Sequence, residues 1–211
     1  MLRNLLNTVI AGVLAFTVAN AQNKKIKGED YVITISTEFG DMVILLFDQT
    51  PKHKENFIKL AGEGYFDGTT FHRIIKNFMI QGGDPNSKDE DPNNDGHGGP
   101  GYTIPAEFVP ELKHIKGALA AARMGDAVNP NKESSGSQFY IVQNNEGTHF
   151  LNNNYTVFGQ VIKGLDVVDK IAEQPKDGRD RPLKNITMKV KAEKMKKKKI
   201  IKLYGCENMF S

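Results

Sequence analysis

The chain has 211 residues, 39% of them hydrophobic and 25% charged, with a formal net charge of +3. That composition fits one globular domain with a targeting segment and excludes a disordered polyelectrolyte. A charge this small, with acids interspersed among the bases, argues against nucleic acid as a partner.

Residues 1–21 have the pattern of a secretory signal peptide. Arg3 gives a short basic start, and Leu5 to Val18 is an apolar run broken by Asn7, Thr8 and Thr17. Ala19-Asn20-Ala21 supplies the cleavage pattern, with cutting expected before Gln22. The run is short for a bilayer span, which takes about 20 apolar residues. An exported, monomeric protein with no stable membrane insertion after cleavage is expected, in a periplasm in the first instance or secreted. The single cysteine, Cys206, can form no internal disulfide and reads as a free thiol near a loose terminus.

Residues 22–30 form a polar lead-in, and residues 31–190 form the expected domain. Residues 31–37 and 41–47 read as strands joined by the short reversal Glu38-Phe39-Gly40. Thr50-Pro51 starts a helix with an N-cap hydroxyl and a first-turn proline. Phe57, Leu60 and Ala61 mark its apolar face, and Gly62 and Gly64 its end. Asp67-Gly68 turns into a strand over 69–75, and residues 85–100 read as loop. Strands are predicted at 117–122, 138–143 and 157–162, a second helix at 164–173, and a closing strand at 186–190. Residues 191–211 form a lysine-rich C-terminal extension, read as solvated. Many short strands with two helices predict an all-β barrel or sandwich.

Arg73 stands alone in an apolar, β-branched run that resumes after Lys76-Asn77 as Phe78-Met79-Ile80-Gln81-Gly82-Gly83-Asp84. An unpaired guanidinium gains nothing from burial. It suits a fixed fork of donors aimed into an apolar pocket. Four more blocks follow in order. They are Gly96-His97-Gly98-Gly99-Pro100-Gly101-Tyr102, residues 117–123, Ser135-Gly136-Ser137-Gln138-Phe139-Tyr140-Ile141, and Leu151 with Tyr155-Thr156-Val157-Phe158-Gly159. Together, from about 33 to 190, they closely resemble the cyclophilin-type peptidyl-prolyl cis-trans isomerases. The resemblance implies a closed, eight-stranded antiparallel β-barrel capped by two α-helices. It also implies rotation of X-Pro bonds in unfolded or flexible proline-containing polypeptides, with no cofactor and no metal.

The resemblance assigns roles position by position. Arg73 falls on the catalytic arginine, with His72 preceding it, and Gln81 on the glutamine that hydrogen-bonds near it. Phe78 and Met79 match pocket residues of the same strand, and Gln138, Tyr140 and Leu151 the neighbouring walls. Ala122 and Arg123 lie where the substrate backbone runs, and Gly96 on a groove glycine. Phe150 stands where many members have tryptophan, Tyr155 where many have histidine, and Tyr140 adds a hydroxyl to the proline pocket. Residues 85–95 exceed the minimal family loop, and the tail beyond Val190 has no counterpart in the family.

Residue by residue, plainer readings also exist. Phe78, Met79, Phe139 and Leu151 alone read as core, and a lone Arg73 as a surface ion-pair partner. His53, His97, His114 and His149 lack zinc spacing and read as structural or solvent-facing. Asp91-Pro92-Asn93-Asn94-Asp95-Gly96 mimics half a calcium loop, but Tyr102 stands where the closing acid belongs, so it reads as a turn-rich loop. Asn154-Tyr155-Thr156 and Asn185-Ile186-Thr187 fit a glycosylation sequon, a short pattern common by chance.

Overall fold

Two-residue periodicity builds the main sheet of the molecule. In the computed structural model, which describes residues 26–210, β1 (Glu29–Thr37) and β2 (Gly40–Leu46) form the expected hairpin. The signal-peptide expectation for 1–21 lies outside the described residues. Ile33 and Ile35 of β1 face the main core, while Val32 faces a second cluster on the opposite side.

Helix α1 (Pro51–Gly62) follows Thr50 as predicted, but the Thr50 hydroxyl does not cap it and donates instead to the Phe47 carbonyl at 3.4 Å. The free N–H groups of the first turn go elsewhere. Those of Lys52 and His53 donate to the Glu107 carboxylate, each at 3.1 Å. A carboxylate there also complements the positive end of the helix dipole.

The remaining strands are β3 (Arg73–Ile75), β4 (Met79–Gly82), β5 (Thr103–Ile104), β6 (Ala118–Ala121), β7 (Ser134–Ser135), β8 (Phe139–Val142), β9 (Val157–Lys163) and β10 (Lys189–Lys196). Helix α2 (Leu165–Ala172) buries Val167, Val168, Ile171 and Ala172. Eight strands make one antiparallel sheet in the order β10-β1-β2-β9-β6-β8-β4-β3, and β5 and β7 make a separate two-stranded ladder. The predicted strand over 69–75 is regular only from Arg73.

In place of the expected closed barrel, the ladders form an eight-stranded antiparallel sheet with β10 and β3 as its edges. Between the segments leading into those edges run an isolated bridge, Thr70 to Thr187, and bonds from Phe71 N to Ile186 O and Met188 N to Thr69 O. The approach is close: a Cβ on Gly82 would lie 2.9 Å from the Thr70 carbonyl oxygen and 2.7 Å from Met188 Cε.

Among the described residues three α-helices occur, not two, and the third corrects the reading of 191–211 as a solvated extension. The closing strand continues to Lys196, paired with β1 as far as Glu29, and α3 (Lys197–Tyr204) turns back over the sheet. Ile200 is fully buried there with Val32, Val43, Leu45, Met195 and Cys206. Cys206 is correspondingly buried, and burial raises its thiol pKa, a poorly reactive setting. The physical reason is the unbroken apolar run from Met42 to Leu46, buried at every residue. A strand of that kind needs cover on both faces.

Ile200→Ala should therefore cost about 2–4 kcal/mol of stability, as for other buried Ile truncations. Urea denaturation measures it, and a loss below about 0.5 kcal/mol, typical of surface positions, would return the tail to a solvated role.

Candidate active site

Adjacent strands place four side chains in one row. Arg73 on β3 pairs with Gln81 on β4, which pairs with Tyr140 on β8, which pairs with Ala120 on β6. The next row, Ile74, Ile80, Ile141 and Leu119, falls on the opposite face and belongs to the main core. Alternation along the pleat therefore sends Arg73 out of the core while its neighbour Ile74 is fully buried. Gly83, at the end of β4, has φ +83, and a Cβ there would overlap the Ser137 carbonyl. Only glycine fits that turn.

Arg73, Phe78, Met79, Gln81, Ala122, Arg123, Tyr140, Leu151 and Tyr155 surround a cavity of about 150 Å³. A cavity of about that volume admits a single small ring such as benzene. Nine of the sequence-assigned residues thus meet around one space. Gly96 and Gln138 line a neighbouring groove of about 870 Å³, which shares Gln81, Ala122 and Arg123 with the first. Phe150 is 71% exposed and stacks on Phe78, with ring centroids 5.9 Å apart. His72 lines neither space. It is buried, and neither ring nitrogen has a hydrogen-bond partner among the described residues.

The polar groups have defined partners. Gln81 Nε2 donates to Gln138 Oε1 at 3.2 Å, and Gln138 Nε2 donates to the carbonyls of Gly96 and Gly98 at 3.0 and 2.8 Å. No hydrogen bond joins Gln81 to the Arg73 guanidinium, whose acidic neighbour is Asp180, with Nε 4.0 Å from Oδ2. The terminal nitrogens of Arg73 make no hydrogen bond to any described residue.

Two departures from the family pattern prove to be halves of pairs. The Tyr140 hydroxyl is turned away from the cavity and bonds His114 Nε2 at 2.9 Å, with the two rings stacked. His114 Nδ1 lies 2.9 Å from Asn152 Oδ1, an acceptor, which fixes the tautomer. Nδ1 carries the proton and Nε2 accepts from the phenol. Burial pushes the Tyr140 phenol well above its ordinary pKa, so it keeps that proton. The expectation of a hydroxyl within the proline pocket is corrected accordingly. Tyr155, in turn, lies under the Arg123 guanidinium, 4.5 Å from ring centroid to Cζ. Arg123 is fixed further by Asn154 O and Asp126 Oδ1, at 2.9 and 2.6 Å. Sequence reasoning missed His114, Asn152 and Asp180. Nothing in their local sequence marks them, since their partners lie 26 or more residues away.

His53, His72 and His114 all have pKa values below the ordinary 6.5, chiefly because burial disfavours the imidazolium. At His53 burial outweighs the opposing Glu107 carboxylate 2.7 Å away, so the ring is neutral and Nδ1–H donates to it.

The family model described as "Cyclophilin type peptidyl-prolyl cis-trans isomerase/CLD" matches residues 32–192. A peptidyl-prolyl cis-trans isomerase-like protein of Dictyostelium discoideum is 40% identical over 163 residues, covering 74% of this chain and 91% of its own length. A peptidyl-prolyl cis-trans isomerase of Arabidopsis thaliana is 40% identical over 161 residues, with the same coverage of 74% and 91%. The crystal structure of a Cryptosporidium parvum cyclophilin-type isomerase in the presence of the dipeptide Ala-Pro is similar with a TM-score of 0.67. It is 33% identical, and the match covers 77% of this chain and 98% of that one.

Two outcomes are expected. Tyr140→Phe leaves His114 Nε2 buried without a donor and should cost about 1–3 kcal/mol in urea denaturation; an unchanged midpoint would show that the pair carries no stability. The three lowered histidines bind fewer protons folded than unfolded, so their contribution is complete above pH 6.5 and lost as pH falls through their folded values. Carboxylates held low, such as Asp48 beside Lys54, contribute fully above their ordinary 3.8 and lose that contribution only as pH falls below it. Denaturation at pH 7 and pH 5 should show lower stability in acid, by up to about 1.4 kcal/mol per pH unit for each histidine; a flat profile would refute this.

Proposed function

The chain belongs to the cyclophilin-type peptidyl-prolyl cis-trans isomerases, and on that premise we propose how its own residues speed rotation about an X-Pro bond. Resonance gives the peptide C–N bond partial double-bond character and a barrier of about 18–20 kcal/mol. For X-Pro both isomers are populated, and exchange takes tens to hundreds of seconds uncatalysed. No bond between atoms breaks, so the reaction asks for neither a nucleophile nor a proton acceptor.

As the amide twists, its nitrogen becomes pyramidal and regains a lone pair. A fixed cation donating to that nitrogen or to the adjacent carbonyl favours the twisted state over the planar one. Arg73 takes this role, and its terminal nitrogens, which make no hydrogen bond to a described residue, at the wall of the small cavity are the observation that carries the reading. Phe78, Met79, Tyr140 and Leu151 grip the proline ring, and where these side chains and the bound ring exclude water they strengthen the arginine's field. Gln81, tied to Gln138 through Nε2, keeps its side-chain carbonyl without a bond from a described residue, an acceptor open to the arginine or to the substrate.

The same reading extends to the whole molecule. The clients are unfolded or flexible proline-containing polypeptides, because an extended chain can enter the groove beside the cavity. The bonds between 69–71 and 186–188 support a sheet closed into a barrel. The N-terminal pattern of residues 1–21 supports export, into a periplasm or out of the cell.

Cis-trans exchange on a short Ala-Pro peptide, followed by NMR, tests the mechanism. Arg73→Ala should lower kcat/KM about 10²- to 10³-fold, the usual effect of removing one transition-state donor, with the fold intact. Equal exchange in the variant would remove Arg73 from the mechanism. Peptide binding without accelerated exchange in the unsubstituted protein would make this a proline-recognition module.

A further inference from the structure

We propose that Asp180 is a positioning residue for Arg73, held in place by the turn 177–182. The inference rests on the reading of Arg73 as the catalytic group. Among the described residues the one acidic side chain within 4.0 Å of the guanidinium is Asp180, at that distance from Nε.

The turn is built to present that carboxylate. Asp180 adopts φ +67, in the left-handed region that Asp and Asn enter more readily than other side chains. Asp177 N donates to Arg181 O at 2.8 Å, and Asp180 N to Asp177 O at 3.1 Å. The Asp177 side chain accepts from the backbone N–H groups of Arg179 and Arg181, at 2.8 and 2.9 Å. Ile74 N then donates to Asp180 O at 2.8 Å, which docks the turn on the residue next to Arg73. From the other side Lys176 Nζ donates to Asp180 Oδ1 at 2.7 Å and to Ile74 O at 3.1 Å. Arg181 anchors the turn to the facing loop through Asp95 Oδ2 at 2.6 Å and to Asn185 Oδ1 at 2.9 Å. The carboxylate is thus tied to the strand that carries the arginine, not merely near it.

Arginine is long and has many rotamers. A carboxylate beside Nε restricts them and leaves the terminal nitrogens for substrate. Ordering the cation before substrate arrives removes that ordering from the climb to the twisted state. Lys176 offsets part of the Asp180 charge, so the carboxylate orients the guanidinium without cancelling its field.

The test uses NMR exchange on an Ala-Pro peptide with the mature chain, Asp180→Asn, Asp180→Gly and Asp180→Glu, each with and without Arg73→Ala. Asn and Gly both fit the positive φ, so loss of the charge is separated from loss of the turn. The expected result is a fall in kcat of about five- to tenfold for Asn and Gly, with KM changed less than about twofold. Glu should recover part of the loss, and none of the three should matter further once Arg73 is alanine. An unchanged or raised kcat in both charge-removing variants would overturn the proposal. So would an equal loss with and without Arg73. If Arg73→Ala itself keeps full activity, the catalytic reading fails and this inference with it; if it abolishes activity while Asp180→Asn does not, only the inference fails.

Discussion

The register of β3 against β4 and β8 is the constraint on which the rest depends. It sets Arg73, Gln81, Tyr140 and Ala120 in one row and Ile74, Ile80, Ile141 and Leu119 in the next. The second row packs into the main core, so the first must face the other way. A slip of one residue would bury the arginine and expose the isoleucines, a double loss that fixes the register strongly. The core therefore aims the candidate site through the alternation of the pleat.

Around that row, substitutions away from the family pattern come in compensating pairs. A tyrosine at 140 is acceptable because His114 receives its proton behind the cavity. A tyrosine at 155 supplies a face for Arg123, which two further acceptors hold in place. His114 lies outside the cavity lining and satisfies the Tyr140 hydroxyl there, whereas Arg123 itself lines the cavity and the groove, with its charge held by Tyr155, Asn154 and Asp126. The arginine itself follows different logic. Its terminal nitrogens have no bond to a described residue, while its Nε side faces a turn docked on the same strand.

The periphery obeys the demand that both faces of an apolar strand be covered. The main core and α2 cover one side of β2, and α3 covers the other through Ile200. The lysines of 189–202 that made the tail look like solvent-facing chain are mostly exposed, and they sit on a strand and helix whose inner residues are buried. Lysines along an edge strand such as β10 also discourage pairing with another chain.

The sequence by itself determined the hairpin, the first two helices, the family and nine residues that surround the cavity. Those signals are local periodicity, turn chemistry and motif blocks, all of which survive without knowledge of distant neighbours. Only the tertiary structure decided what depends on long-range partners. Glu107 caps α1 in place of Thr50, His114 takes the Tyr140 hydroxyl, and Asp180 stands by Arg73 where Gln81 was expected. The cover over β2 was legible in principle, since Met42 to Leu46 does not alternate. Which segment supplies it was not, because a lysine-rich helix with one buried isoleucine looks locally like solvated chain until the exposed face it must cover is known.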